Sequence, residues 1–199
     1  WFGDDFLTDF AGEQAGWPAL QGPHNAQNAW AARMVCLALG LAPAAINRGL
    51  ASYHSLPHRM ERVGEHGGVL FVNDSKATNP ASTAPALAAF PPAPAKRLHW
   101  ICGGLPKEDN LDECAPHFGN VAAAYTIGEA GPLFAALLEP HMPVERCEML
   151  AEAVRRAMAG AQPGDVVLFS PACASFDQYR DYEIRGETFR TLVSQLAGE

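Results

Sequence analysis

No apolar stretch in these 199 residues approaches the ~20 that a helix needs to span a bilayer. Basic residues are scarce: 14 Lys and Arg stand against 22 Asp and Glu, a formal net charge of −8. Nucleic acids and membrane surfaces are polyanionic, so this balance speaks against a general binder of either, and any anionic ligand must be met by a few local cations. Paired cysteines are missing as well. The five present, Cys36, Cys102, Cys114, Cys147 and Cys173, are scattered, with no C-x-x-C. That argues against a zinc ribbon or a thioredoxin-like motif. Their mostly apolar neighbours suit buried free thiols in a reducing cytoplasm. The seven histidines are dispersed, with no H-E-x-x-H, and no metal site is expected. Neither G-x-x-x-x-G-K-[ST] nor G-x-G-x-x-G occurs, so the chain lacks both a Walker loop and a dinucleotide fingerprint. The opening Trp1-Phe2-Gly3-Asp4-Asp5 has no initiator Met and no basic n-region, and it reads as the cut end of a longer chain.

What is there suits a packed α/β domain. Hydrophobic residues make up 48% and charged ones 18%, enough for a core and too few charges for a disordered chain. Continuous apolar runs predict strands at 69–72, 98–102, 123–127 and 166–169, with a weaker one at 144–149. Runs without alternation are expected where both faces of a sheet are covered. Between them, Leu150, Val154, Ala157, Met158 and Ala161 share one helix face, as do Phe189, Leu192, Val193 and Leu196. Strands alternating with helices predict a Rossmann-like, doubly wound, mostly parallel sheet, with ligands beyond the carboxyl ends of its strands. The first ~50 residues differ. Trp30, Met34, Leu37, Ala38 and Leu41 mark an amphipathic helix after Gly22-Pro23-His24-Asn25, and a short helix follows near 44–50. Pro57 disfavours helix at the residue before it, which places a boundary near residue 55 and predicts units at 1–55 and 56–199.

One segment concentrates polar chemistry. Asn73-Asp74-Ser75-Lys76-Ala77-Thr78-Asn79-Pro80 follows the strand at 69–72 and puts a carboxylate, an ammonium and two hydroxyls in a strand-to-helix turn. Asn79 and Pro80 supply an N-cap and a first-turn proline, and the free N–H groups of that turn favour an anion. The spacing alone suits a solvated, well-capped loop equally. Asn25 and Asn28, three apart on a helix, can turn both amides to one ligand edge; Asn25 also suits the cap of that helix. Lys107 follows the Gly103-Gly104-Leu105-Pro106 turn at a strand end, which would hold its ammonium over the crevice. That turn is too short for a Walker loop.

As an octapeptide, N-D-S-K-A-T-N-P resembles the signature that opens the C-terminal domain in the D-glutamate-adding branch of the Mur ligase family. Sister Mur ligases and folylpolyglutamate synthases carry other residues here. Four more segments match in order: Gly22-Pro23-His24-Asn25-Ala26-Gln27-Asn28, Leu56-Pro57-His58-Arg59-Met60-Glu61, Gly103-Gly104-Leu105-Pro106-Lys107, and Ser170-Pro171-Ala172-Cys173-Ala174-Ser175-Phe176-Asp177-Gln178 running on to Tyr182 and Arg185-Gly186.

The resemblance implies that residues 1–55 are the end of a central ATP-binding domain and 56–199 the C-terminal domain. It implies nucleotide contacts at Asn25, Asn28, Arg59 and Asp74, where Asp74 would accept ribose hydroxyls. D-glutamate would be held at Thr78 and Lys107, with Lys76 adding charge and Ser175 and the backbone around Tyr182 taking the second carboxylate. The family usually has Phe where this chain has Tyr182. The reaction implied joins D-glutamate to UDP-N-acetylmuramoyl-L-alanine with ATP and Mg²⁺ in a monomeric enzyme of the bacterial cytoplasm. This chain alone, without phosphate cradle or metal ligands, is expected to be inactive. Two other readings stay open: a non-catalytic Rossmann-like nucleotide-binding module, and a Mur ligase of different amino-acid specificity.

Overall fold

The computed structural model describes residues 12–196; the Trp1–Asp5 stretch read as a cut end lies outside them. The chain divides into two compact units, Trp1–Ser55 and Leu56–Glu199.

In the first unit, α1 (Pro23–Ala38) and α2 (Pro43–Ala51) follow helical residues at 12–14 and a run of turns. Each helix opens on a proline, whose missing N–H would be unsatisfied there anyway. Asn25 does not cap α1. The cap is Gly22, without a side-chain bond, and Asn25 instead donates its amide to the Gln21 carbonyl at 3.0 Å. Proline at the first helical position favours a start three residues earlier than an Asn25 cap would give. Ala26, Ala29 and Trp30 pack with Trp17, Leu20 and Leu50. The expected apolar stripe is therefore buried only at its Trp30 end; Met34, Leu37 and Leu41 are exposed.

The second unit is a six-stranded sheet in the order β1-β2-β6-β3-β4-β5. Its strands are β1 (Glu61–His66), β2 (Val69–Asn73), β3 (Leu98–Gly103), β4 (Val121–Ile127), β5 (Val144–Glu148) and β6 (Val166–Phe169). All neighbours pair in parallel except β1, which joins β2 antiparallel through the Gly67–Gly68 turn. Strand β1 escaped the sequence reading because Glu61, Arg62 and Glu65 interrupt any apolar run. Only one flank of this edge strand is paired, so it tolerates charge.

The period-two alternation of the strands sends side chains into two cores. Val72, Leu98, Trp100, Cys102, Val121, Ala124 and Leu168 meet α3 (Pro80–Ala88), a 3₁₀ turn (Ala115–Asn120) and α4 (Gly131–Leu138) on one face. Phe71, Ile101, Tyr125, Ile127, Val167 and Phe169 meet α5 (Leu150–Gly160) and α6 (Tyr182–Leu196) on the other. Burial on both faces is what the unbroken apolar runs require. Four of the five cysteines, all free, are buried in this unit, and Cys36 is half-buried. No helix among the described residues is long and apolar enough to cross a membrane.

Candidate functional site

Because β2, β3 and β6 are adjacent to or next but one from each other and run in parallel, the loops leaving their carboxyl ends gather on one edge of the sheet. These loops, residues 74–79, 104–110 and 170–181, carry most of the site residues predicted from sequence.

The β3 loop is shaped by glycine. Gly103 and Gly104 have φ of 122° and 134°, a region closed to side chains, and a Cβ on Gly103 would run into the Ile127 carbonyl. The tight turn lets Leu105 exchange backbone hydrogen bonds with Ala174, at 2.9 and 3.0 Å, tying this loop to the one after β6. Lys107 then stands exposed and donates from Nζ to Thr78 Oγ1 at 3.1 Å. A shallow cavity of about 520 Å³ opens beside it, lined by Pro106, Lys107, Glu108, Asp109, Asn110 and Leu133.

On the β2 loop, Ala77 is buried while Lys76 and Thr78 are half-buried, and Asn79 caps α3 by accepting the Ser82 N–H at 2.9 Å. Lys76 Nζ donates to the Tyr182 hydroxyl at 2.9 Å and lies 4.5 Å from the centre of that ring. The Tyr182 hydroxyl thus anchors an ammonium. The Tyr182 carbonyl accepts the Ser75 hydroxyl at 2.8 Å. Ser175 is buried, 2% exposed, in the loop that Asp177 and Gln178 fasten down: Asp177 Oδ2 accepts the Glu129 N–H and Gln178 donates to the Glu148 carbonyl. The structure therefore joins Lys107 to Thr78 and Lys76 to Tyr182, on loops that also hold Ser175.

Asp74 sits deeper. It is 6% exposed, with Oδ1 accepting the Met60 N–H at 3.1 Å and Oδ2 the Ser170 hydroxyl at 2.8 Å. Burial pushes its carboxyl up to about 7, against the lowering effect of both hydrogen bonds and of the Arg59 charge. Arg59 itself is exposed. Asn25 and Asn28 belong to the first unit, where Asn28 Nδ2 reaches Asn25 Oδ1 at 3.5 Å, so the two amides do share a helix edge.

Sequence reasoning left several residues without a role. His58 has a φ of 62° and places Nδ1 3.0 Å from Asn73 Nδ2. Asn73 also donates to Glu61 Oε2 and the Gly186 carbonyl. A Cβ on Gly186 would collide with the His58 ring, which explains a glycine inside α6. The other three are Ser170, Ser75 and Arg185, whose guanidinium is buried among neutral oxygens. All five lie inside the quoted motifs, which was the one available signal. Among the described residues no group of three or more His, Cys, Asp or Glu could hold a metal ion.

The family model described as "Mur ligase, glutamate ligase domain" matches residues 58–173. Among curated relatives, a UDP-N-acetylmuramoylalanine–D-glutamate ligase of Novosphingobium aromaticivorans is 66% identical over 92% of this chain and 40% of its own length. A protein of the same name from Sphingopyxis alaskensis is 62% identical over 92% of this chain and 42% of its own. The chain thus spans about two fifths of the length of the curated relatives it matches. Of solved structures, UDP-N-acetylmuramate–alanine ligase from Thermotoga maritima superposes with a TM-score of 0.61 at 16% identity, over 87% of this chain and 38% of that one. A bifunctional folylpolyglutamate synthase/dihydrofolate synthase from Yersinia pestis gives 0.52 at 21% identity, over 77% and 35%. At such identities the likeness is one of fold.

Proposed function

The chain belongs to the Mur ligase family, its glutamate ligase domain matching residues 58–173, and from that premise we propose that it is the acceptor-binding part of an ATP-dependent ligase adding D-glutamate to UDP-N-acetylmuramoyl-L-alanine. The observation that carries the reading is the ammonium of Lys107 on the Thr78 hydroxyl, 3.1 Å apart, at the carboxyl ends of parallel strands. A dicarboxylic amino acid needs two anion sites. Lys107 and Thr78 form one, Ser175 and the backbone near Tyr182 the other, and Lys76 adds positive charge beside them. The names of the relatives support D-glutamate as the acceptor.

In the proposed reaction, ATP phosphorylates the nucleotide-sugar carboxylate to an acyl phosphate. The amine of D-glutamate attacks that carbonyl, and the tetrahedral intermediate expels phosphate. This chain contributes position and charge: it holds the acceptor so that its amine faces the acyl carbon. Asp74 and Arg59 are the nucleotide contacts proposed for the second unit, and Asn25 and Asn28 those proposed, separately, for the first. The ligase uses magnesium, which neutralises phosphate charge; the described residues offer no cluster for it, and no step of this chain depends on one. Without a phosphate cradle, the 199 residues alone give no ligation.

The test is Lys107→Ala in the ligase at its full natural length. Loss of a charge-assisted contact to carboxylate should raise the KM for D-glutamate about ten-fold or more, with the KM for ATP little changed. An unchanged KM for D-glutamate would remove Lys107 from the site, and preference for another amino acid would overturn the assignment of the acceptor.

A further inference from the structure

Among the described residues, Arg185 is the one arginine with a fully buried side chain, 1% exposed, and it lies in the first turn of α6. Its partners are all neutral oxygens. Nε donates to Ser75 Oγ at 3.1 Å, Nη2 to the Ser75 carbonyl at 2.8 Å and the Cys173 carbonyl at 3.0 Å, and Nη1 to the Ala174 carbonyl at 3.0 Å. Its Cζ lies 5.8 Å from the centre of the Phe169 ring, at the end of β6. A Cβ on Gly104 would come within 3.1 Å of Nη1. The guanidinium therefore bonds two of the loops, residues 74–79 through Ser75 and 170–181 through Cys173 and Ala174, and leaves little room for a side chain at Gly104 in the β3 turn.

Burying a charge without a carboxylate partner is costly, since the hydration it loses is replaced only by neutral dipoles. Burial accordingly lowers its pKa to about 10, against the raising effect of Cys173, Asp177 and Tyr179. It stays charged at neutral pH. A purely structural staple at this spot has no need of a full positive charge. The neighbours of its contact points, in contrast, are Lys76 and Thr78 beside Ser75, Ser175 beside Ala174, Lys107 three residues beyond Gly104, and Tyr182 one turn earlier on its own helix.

We propose that Arg185 is the positioning residue of the acceptor site, a buried cation that locks the loops after β2 and β6 together beside the β3 turn into one dicarboxylate-binding constellation and biases that crevice towards anions. This rests on the reaction proposed above. Its fork geometry matters: three donor nitrogens on four acceptors hold separate loops at fixed spacing, which a lysine ammonium on a flexible stem cannot do. Displacements of an ångström in such loops are enough to cost affinity for a small ligand held at two ends.

The experiment is Arg185→Lys in the ligase at full natural length, assayed by D-glutamate-dependent phosphate release and by thermal melting. The expected result is a KM for D-glutamate raised about ten-fold or more, with the KM for ATP within about two-fold of the parent. A merely structural role would instead lower Tm and kcat together and leave both KM values in place; that outcome overturns the proposal. Should Arg185→Lys fail to fold, Arg185→Gln decides by the same split, because it keeps a planar donor group while removing the charge and the reach of the fork. A rise of about three-fold or more in the KM for D-glutamate alone supports the proposal, and an unchanged KM sinks it. If the parent protein releases no phosphate with D-glutamate, it is the reaction assigned above that fails, a result separate from either variant.

Discussion

At the scale of single residues, the site pays for its chemistry in buried polar groups, and Asp74 shows the consequence most directly. An ordinary aspartate ionises near 3.8, whereas Asp74 does so at about 7, because burial outweighs the hydrogen bonds from Ser170 and Met60 and the Arg59 charge. Between those two values the folded chain holds a proton that the unfolded chain has released. Folding stability from this group is therefore fully present below about pH 4 and is lost as pH rises through about 7. Asp74→Asn removes the ionisation while keeping an acceptor for the Met60 N–H. The Tm of the parent relative to Asp74→Asn should fall between pH 5 and pH 8, measured by thermal melts across that range. A constant difference would show that Asp74 ionises like an exposed carboxylate. The comparison isolates the group, since other carboxylates such as Glu152, held down to about 2 by Arg155 and Arg156, titrate identically in both proteins.

At the scale of elements, local signals decide how well a segment could be read. Asn79-Pro80 announces α3 because capping is an interaction over three residues, and both halves of the reciprocal box are formed, the Ser82 N–H on Asn79 and the Asn79 N–H on the Ser82 hydroxyl. Asn79→Ala should cost about 1 kcal/mol, a Tm lower by about 2–4 °C for a domain of this size. It should also loosen Thr78, one residue away, so a melt and a D-glutamate titration should move together; no change in Tm would show the cap to be idle. The parallel strands β2, β3, β4 and β6 were legible for a similar reason, each being apolar on both faces. Strand β1 was not, since its pairing with β2 depends on a partner and an edge position that charge conceals. The stripe on α1 misled in the other direction, because helical periodicity marks an apolar face without saying what covers it. Within the site, Lys107, Thr78, Lys76 and Asp74 stood out through their placement at strand ends. Arg185 did not, because its contacts reach Ser75 across 110 positions, and no spacing rule spans that distance.

At the scale of the molecule, the division at Leu56 raises the question of which part owns the proposed acceptor site. Both large cores are drawn from the second unit alone: one runs from Val72 to Cys173, the other from Val69 to Val193. The sheet is complete within it, and so are Arg185, the three loops, and the cluster of His58, Asn73, Glu61 and Gly186 that ties the first residues of the unit to α6. A domain with its own closed core and about 140 residues is large enough to fold alone. Residues 56–199 expressed by themselves should therefore give a single cooperative thermal transition with the helix and strand content of the whole unit. Beginning the chain at residue 62 removes His58 and Glu61, and should lower that transition by several degrees, because Asn73 then loses two of its partners inside the protein. Circular dichroism melts of the two shortened chains make the comparison. If residues 56–199 showed no cooperative transition, the second unit would depend on the first for its fold. An equal Tm in both would mean that the segment from Leu56 to Glu61 lies on the domain without holding it, and the anchoring of Arg59 beside Asp74 would have to come from elsewhere.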